Sequence, residues 1–259
     1  MNQSERRLYL IEALLKENPS FSLEDIPKDE KMQKRLLRGL MNVREALPVS
    51  EEVLKVQDEY LKEENEKKGI VDVNSLDATK KNKNIILWRG DITRLNADAI
   101  VNAANSALLG CFIPNHSCID NVIHTFSGMQ LRLECDKIMK EQGYEEPTGK
   151  AKITSAYNLP CKYVIHTVGP IVSNILTEKN RADLVSCYKE CLKVATENNL
   201  KYIAFCCIST GVFHFPQDIA AYIAVKTVEE YLKEKDSNIK VIFNVFTETD
   251  YNIYNNILN

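Results

Sequence analysis

Short runs of β-branched and aromatic residues alternate with longer helical patterns after residue 83. The runs read NIILW, DAIVNA, AKITSAY, YVIHTV, YIAFCCIS and KVIFNVF. Between several of them, apolar residues recur at helical spacing, as in the stripe of Ile119, Val122, Ile123, Phe126 and Met129. Strands that alternate with helices of this length predict an α/β fold built around a largely parallel sheet.

Residues 1 to about 78 have a different texture and are predicted to be helical. Three segments place apolar residues at helical spacing: RRLYLIEALLKE, EKMQKRLLRGLMNVREAL and SEEVLKVQDEYLKEENEKK. Ser50 is the expected N-cap of the third helix. We therefore expect a helical extension over residues 1–78 and the main domain over residues 79–259. Nothing in the extension is typical of catalysis, and a lid, a docking surface and a cover for the core all fit it.

The chain is close to neutral, with 33 basic and 36 acidic side chains. This balance lacks the basic surface that nucleic-acid binding requires. Residues 81–259 carry equal numbers of both signs, so we expect backbone N–H groups, not lysines, to hold an anionic ligand there. No apolar run approaches the ~20 residues of a membrane span, and no signal peptide is recognisable. A cytoplasmic location is therefore expected.

Eight cysteines in a chain of this length favour reduced thiols or metal ligation over disulfides. Two pairs are predicted to be core residues, because free cysteine is readily buried. These are Cys187 and Cys191 on a predicted helix, and Cys206 and Cys207 in an apolar strand. His166, at the end of another strand, is predicted to be structural. Arg132 is interpreted as a packing or surface residue.

Three loops that follow predicted strands carry candidate ligand-binding residues. They are RGDIT with Asp91, VNAANSALLGC with Asn102 and Asn105, and ISTGVFHFP, residues 208–216. Taken singly, Asp91 fits a turn or cap, and asparagines tolerate left-handed turns. The third loop turns into a helix near Pro216 and offers bare N–H groups of the kind that cradle phosphates. Ligands of such sheets bind at the carboxyl ends of the strands, where these loops meet.

Cys111, His116 and Cys118 form the pattern C-x4-H-x-C, which matches no common zinc-finger spacing. Soft thiolate and imidazole ligands favour zinc over magnesium or calcium. A structural zinc needs a fourth ligand: Cys135 lies ~25 Å further along a helix, and His124 is the remaining candidate. Three ligands and an open position are typical of a catalytic zinc. A structural zinc and a metal-free loop stay as alternatives.

Asp120 has a simple structural interpretation as well. The stretch Ser117 to Asp120 fits a helix N-cap followed by an acid three residues on, a pattern that resembles a capping box. That pattern alone accounts for the carboxylate, and it is compatible with a role in chemistry.

The combination of motifs resembles the macrodomain family of ADP-ribose binders. GDIT, NAANS and STGVFxxP occur in the family's order, with GxxLRxxC between them. The inserted GCFIPNHSCIDNVIH resembles the zinc-containing bacterial branch of macrodomain ADP-ribosyl hydrolases. The resemblance covers roughly residues 75–259, and the helical extension fits that branch. It implies a three-layer α/β/α fold with a mixed, largely parallel sheet.

The resemblance also implies a role for each matching residue. Asp91 accepts a hydrogen bond from the adenine amine, and the backbone of Ile92 helps to hold the base. Asn105 contacts the distal ribose and positions the scissile bond, Phe213 packs on that ribose, and Asp120 helps to activate water. The N–H groups that wrap the diphosphate belong to Ser209, Thr210, Gly211 and Val212.

The implied activity is zinc-dependent removal of mono-ADP-ribose from an acidic side chain of a protein, by cleavage of the glycosidic ester at the distal ribose. One Zn²⁺ per chain would be held by Cys111, His116 and Cys118 beside an open position. It would hold a ribose hydroxyl, hold the acyl carbonyl, or activate water. Deacetylation of O-acetyl-ADP-ribose is one alternative. A non-catalytic ADP-ribose reader with a structural zinc is another. ADP-ribose or the modified protein is the expected partner, with neither nucleic acid nor membrane.

Overall fold

A mixed sheet forms the centre of the main domain in the computed structural model, which describes residues 1–17 and 26–259. Residues 18–25 of the predicted helical extension lie outside the described residues. The strands are β1 (Ile85–Arg89), β2 (Ala99–Ala104), β3 (Ala151–Ser155), β4 (Tyr163–Val168), β5 (Tyr202–Phe205) and β6 (Lys240–Val245). Each overlaps one of the six predicted runs, and β1 and β2 each extend one residue beyond theirs. Their order is β1-β6-β5-β2-β4-β3, with β3 antiparallel to β4 and the other neighbouring pairs parallel.

Three helices of the extension pack against one another and against the main domain. They are α1 (Gln3–Lys16), α2 (Glu30–Val43) and α3 (Glu51–Lys67). Ser50 caps α3 as predicted, because its side chain accepts a hydrogen bond from the N–H of Val53. The apolar faces form a separate cluster around Leu10, Ile11 and Leu37, which also includes Met129 of the main domain. The extension is therefore helical as predicted, and it shares buried apolar surface with the rest of the chain.

Five further helices of the described chain cover the two faces of the sheet. They are α4 (Ile119–Ser127), α5 (Met129–Gln142), α6 (Glu178–Glu197), α7 (Gln217–Glu234) and α8 (Glu248–Leu258). Helices α4 and α5 pack against β2 and β3, whereas α6, α7 and α8 lie side by side from β3 and β4 across to β1. The predicted three-layer α/β/α fold is confirmed.

The connector between α3 and β1 touches the main domain at two isolated bridges, Val71 with Leu95 and Ala78 with Ile86. The predicted boundary between residues 78 and 79 falls in this connector and stays a prediction. Across residues 1–17 and 26–259, no helix combines the length and apolar content needed to cross a membrane.

The cysteines are all free thiols. Cys187, Cys191 and Cys206 are buried in the main core as predicted. Strand β5 ends at Phe205, so the prediction that Cys206 and Cys207 lie within the strand is wrong. Cys207 is only partly buried, because the chain has already left the sheet at that point.

Candidate functional site

A cleft of about 800 Å³ lies at the carboxyl edge of the sheet, where the predicted loops meet. Its wall includes Asp91 and Ile92 after β1, Asn244 at the end of β6, and the loop after β5. Helix α4 forms the facing wall with Ile119, Val122 and Phe126, whereas Ile123 points into the core. The apolar stripe of α4 is thus divided between the cleft and the core. The candidate residues that line the cleft are Asp91, Ile92, His116, Cys118, Ser209, Thr210, Gly211, Val212 and Phe213.

Asp91 acts as a cap and also faces the cleft. Its carboxylate accepts hydrogen bonds from the N–H of Thr93 at 3.0 Å and from Thr93 Oγ1 at 2.6 Å. These bonds begin a short 3₁₀ turn, Ile92–Arg94. About a third of the Asp91 side chain remains exposed, at 31%. The structural role and the predicted contact with adenine are therefore compatible.

The loop of residues 209–213 presents backbone to the cleft. Ser209 takes a left-handed conformation with φ of 65°, and its carbonyl accepts the N–H of Phe215. Among the described residues, no protein acceptor is bonded to the N–H groups of Gly211, Val212 and Phe213. A methyl group added at Gly211 would meet nothing within 4 Å. These amides precede α7, which begins at Gln217, so they form a loop cradle rather than the helix terminus itself.

Gly169 is required by this loop and was not predicted. A Cβ atom at Gly169 would lie 2.1 Å from Ser209 Oγ, so the glycine lets the loop approach β4 closely. The GP sequence after YVIHTV was the available signal, but turns of this kind are common.

Cys111, His116 and Cys118 are brought together by the segment of residues 111–118, here called the metal loop. One ligand atom of each lies within 4.8 Å of the others, and Cys111 Sγ is 3.6 Å from His116 Nδ1. Their donor set, two thiols and one imidazole, fits zinc. Within the described part of the chain, no further His, Cys, Asp or Glu joins this group. Burial, aided by the nearby Cys111 and Asp120, raises the pKa of the Cys118 thiol to about 12. The free energy needed to form the thiolate is therefore high, and a bound cation would offset it.

Helix α4 begins from a metal-loop residue. Cys118 is the N-cap, and its Sγ accepts the N–H of Asn121 at 3.4 Å. The prediction that Ser117 caps this helix with Asp120 in a capping-box position is therefore wrong. The helix starts one residue later than the pattern indicated, and the side chain of Asp120 turns inward.

Asp120 is buried beside the metal loop and does not line the cleft. Asn102 Nδ2 donates to its Oδ1 at 2.8 Å, and Asn105 Nδ2 approaches its Oδ2 at 3.4 Å. Burial raises the pKa of Asp120 to about 6, although the Asn102 hydrogen bond and the charge of Arg132 act in the opposite direction. Arg132 is also buried, and it donates to the carbonyls of Leu109 and Met41. It belongs to the packing around the site, not to the surface.

Asn105 lies behind the cleft, at the base of the metal loop. Its Nδ2 donates to the carbonyl of Gly110 at 3.0 Å, and its Oδ1 accepts the N–H of Ala107 at 3.0 Å. The amide thus closes the turn that precedes the metal loop. Nδ2 also approaches Asp120, so a ribose contact made through Nδ2 requires exchange of one of its two hydrogen bonds.

A second group, His124, Cys135 and His166, is fully buried under Asp120. Both ring nitrogens of His166 have partners, Asn102 Nδ2 at 3.2 Å and Thr154 Oγ1 at 2.9 Å. Burial lowers the pKa of His166 to about 4, so the ring is neutral. His166 is thus held by hydrogen bonds between the sheet and the helices α4 and α5, which agrees with its predicted structural role, whereas the two ring nitrogens of His124 have no hydrogen-bond partner among the described residues. The group also supplies no fourth ligand to the metal loop.

Two cations from the extension line the cleft and were not predicted. Lys68 Nζ lies 3.6 Å from the Asp91 carboxylate, 3.2 Å from Thr93 Oγ1 and 2.7 Å from the centre of the Phe126 ring. Burial lowers the pKa of Lys68 to about 8. Arg38 reaches the metal loop from α2. The charge count of residues 81–259 did not include these two side chains, and the expectation that backbone N–H groups hold an anionic ligand stays a prediction.

A cleft at the carboxyl edge of a mixed sheet, between two layers of helices, is typical of a ligand-binding α/β domain. The family model "Macro domain" matches residues 101–224. A protein of Treponema medium named "Protein-ADP-ribose hydrolase" is 55% identical over 260 residues, which cover 100% of both chains. The chain therefore belongs to the macro domain family.

Two solved structures are similar to this fold. The macrodomain of Trypanosoma brucei in complex with ADP-ribose has a TM-score of 0.66 and 28% identity, and the match covers 82% of this chain and 92% of that one. The Oceanobacillus iheyensis macrodomain with ADP has a TM-score of 0.60 and 36% identity, with 66% and 88% covered.

Proposed function

We propose that the protein is a hydrolase that releases ADP-ribose from modified proteins. The observation that carries this proposal is the position of His116 and Cys118 on the wall of the same cleft as Asp91 and the amides of residues 211–213. A group that fits a metal thus faces a cavity of the size and polarity that an ADP-ribosyl ligand needs. The name of the Treponema relative and the ADP-ribose bound to the T. brucei macrodomain support the same assignment.

In this proposal the ligand lies along the cleft from Asp91 to the metal loop. Asp91 accepts a hydrogen bond from the adenine amine, and the backbone of Ile92 holds the base. The free N–H groups of the loop bind the diphosphate, where preorganised donors are effective without lysines. Phe213 packs on the distal ribose. The diphosphate donors are assigned to Ser209, Thr210, Gly211 and Val212; the N–H of Thr210 donates to the carbonyl of Cys207 at 3.4 Å, so it must exchange this bond first.

Cys111, His116 and Cys118 hold one Zn²⁺ in this proposal, and the chain belongs to a zinc-containing branch of the family. Bound there, the ion supplies Lewis acidity to an oxygen of the ligand or lowers the pKa of water. Asn105 orients the distal ribose once its amide turns from Gly110 towards the cleft. Asp120 lies 3.4 Å behind that amide and does not line the cleft, so it accepts a proton from the attacking water only after Asn105 has turned. The water oxygen bonds to the anomeric carbon while the bond from that carbon to the carboxylate oxygen breaks, which gives free ADP-ribose and a free carboxylate, and Asp120 then releases its proton to solvent.

The test uses a protein ADP-ribosylated on aspartate or glutamate as substrate. It is incubated with wild-type protein, with Cys111→Ala and with wild-type protein after chelator treatment, and released ADP-ribose is measured. We expect release by the wild type alone. Equal release in all three samples would contradict catalysis through the metal. No release from any sample, with ADP-ribose still bound in calorimetry, would indicate the non-catalytic reader.

The deacetylase alternative uses the same cleft on a smaller ester. Its signature is acetate release from O-acetyl-ADP-ribose without release of ADP-ribose from protein. We also propose a cytoplasmic location, because eight free thiols suit a reducing compartment.

A further inference from the structure

We propose that the helical extension supports the metal site. Arg38 and Asn42 of α2 fix the backbone of the metal loop and so determine how firmly the metal is retained. This inference rests on the proposed function, since it concerns the same three metal ligands. Asn42 acts only through the loop, and Arg38, which also lines the cleft, is assigned the same positioning role.

Arg38 bonds to the main chain of His116, one of the proposed metal ligands. Its Nη2 donates to the carbonyl oxygen of His116 at 2.6 Å and to Asn121 Oδ1 at 2.9 Å. One guanidinium nitrogen thus joins the metal loop to the first turn of α4. Because a charged donor makes a stronger hydrogen bond than a neutral one, this is a firm constraint on the backbone at residue 116.

Asn42 repeats the arrangement one helical turn later on the same face of α2. Its Oδ1 accepts the N–H of Asn115 at 2.9 Å, and its Nδ2 donates to Thr125 Oγ1 at 3.0 Å. Asn42 is fully buried. Gly39, between the two, leaves room for the loop, since a Cβ there would lie 3.1 Å from Asn115 Nδ2. Helix α2 and the metal loop are therefore in direct contact.

Asn121 completes the support from the other side. Its Nδ2 donates to the carbonyls of Cys111 at 3.2 Å and Ile113 at 2.9 Å, while its Oδ1 accepts from Arg38. Within residues 111–118, the structure gives one internal backbone hydrogen bond, His116 to Ile113. The loop conformation is therefore set mainly by side chains from α2 and α4. Removal of groups that hydrogen-bond to ligating side chains typically changes metal affinity by about 10- to 100-fold, and we expect an effect of the same size from groups that fix the ligand backbone.

The test compares zinc-loaded wild-type protein with Arg38→Met, Arg38→Lys and Asn42→Ala. Arg35→Met is the matched control, because Arg35 lies on the same helix but its side chain is exposed. The rate and extent of zinc transfer to a chromogenic chelator are measured. We expect about 10- to 100-fold weaker zinc retention in Arg38→Met and Asn42→Ala. Arg38→Lys should recover part of the loss, and Arg35→Met should match the wild type.

Two further readouts separate positioning from simple loss of folding. The melting temperatures of the metal-free forms should differ little between Arg38→Met and Arg35→Met, and the kcat of the hydrolase should fall more than the affinity for free ADP-ribose. Zinc retention by Arg38→Met equal to that of the wild type would overturn the inference and leave the proposed function intact. A wild-type protein that retains no zinc would overturn both, and the wild-type sample alone reveals this.

Discussion

Lys68 places an ammonium group at the end of the cleft that contains Asp91. The amine is partly desolvated against Phe126, which explains why its pKa is lowered to about 8 although Asp91 favours the charged form. At neutral pH the lysine is mainly protonated, and an anionic ligand in the cleft would stabilise that charge. As pH rises through about 8, the amine loses its proton and the attraction disappears.

This titration predicts a pH-dependent affinity for ADP-ribose. Between pH 7 and pH 9 the dissociation constant should rise about fivefold, the equivalent of ~1 kcal/mol. In Lys68→Met the affinity should be lower at pH 7 and nearly constant over the same range. Lys67→Met is the control, because Lys67 pairs with Glu63 away from the cleft. Calorimetric titrations at several pH values measure the effect, and an unchanged slope in Lys68→Met would contradict it.

Substitution of Gly110 tests the packing behind the metal loop. It has φ of +82°, and a Cβ there would lie 2.8 Å from the His124 ring, so Gly110→Ala combines backbone strain with a clash. Gly143 has nearly the same φ, +78°, but open space around it. Gly143→Ala should cost about 1–2 kcal/mol of unfolding free energy. Gly110→Ala should cost about 1–3 kcal/mol more. Denaturant unfolding of both variants measures the difference, and equal losses would exclude the clash.

At the scale of the elements, helix α4 connects the metal loop to the hydrophobic core. Its first turn is capped by Cys118, its outer stripe lines the cleft, and its inner face includes Ile123 in the main core. A change at the metal group therefore reaches the helix through its N-cap. The hydrogen bonds of Arg38 and Asn42 connect the same segment to α2.

Removal of the metal should loosen a confined part of the chain. After chelation, hydrogen exchange should accelerate in residues 111–121, because Cys118 is both a proposed ligand and the cap of α4. Exchange in α6 and α7, on the opposite face of the sheet, should stay unchanged. Mass spectrometry of the peptides resolves these regions. Equal protection of residues 111–121 before and after chelation would argue against a bound metal.

The strands and the loops that follow them were largely predictable from the sequence. The N-cap of α4 and the two cations that line the cleft, Arg38 and Lys68, were not. The short runs of β-branched and aromatic residues identified all six strands, because strands are enriched in these residues. The cap was misplaced by one residue because Ser117 fits the N-cap preference better than a cysteine does. Arg38 meets His116 across 78 residues, a contact that no local pattern encodes.

At the scale of the whole molecule, the extension and the main domain share one set of buried contacts. Gln57 of α3 accepts the N–H of Met129 at 2.8 Å and donates to Gln130 at 2.6 Å. Asn65 donates to the carbonyl of Asn158 at 2.7 Å. The helical extension and the main domain should therefore unfold in one transition, although their sequence patterns differ.

This coupling is measurable through Trp88, the single tryptophan of the chain, which lies in β1. Gln57→Leu leaves the buried N–H of Met129 without its acceptor and should cost about 1–3 kcal/mol. The loss should shift the Trp88 fluorescence transition and the far-UV circular dichroism transition by the same amount. Lys55→Leu, on the same helix, is a control at an exposed position. A shift in circular dichroism alone would mean that the extension unfolds independently.

The anchoring of the metal loop through its carbonyl and N–H groups has a consequence for protein engineering. The bonds from Arg38, Asn42 and Asn121 end on main-chain atoms, so they do not depend on which side chains the loop carries between its ligands. Ile113, Pro114 and Ser117 are exposed. Ser117 also lines the cleft, so it is a position where a library can vary the cleft wall, and with it the choice of protein substrate, while the ligand geometry is kept.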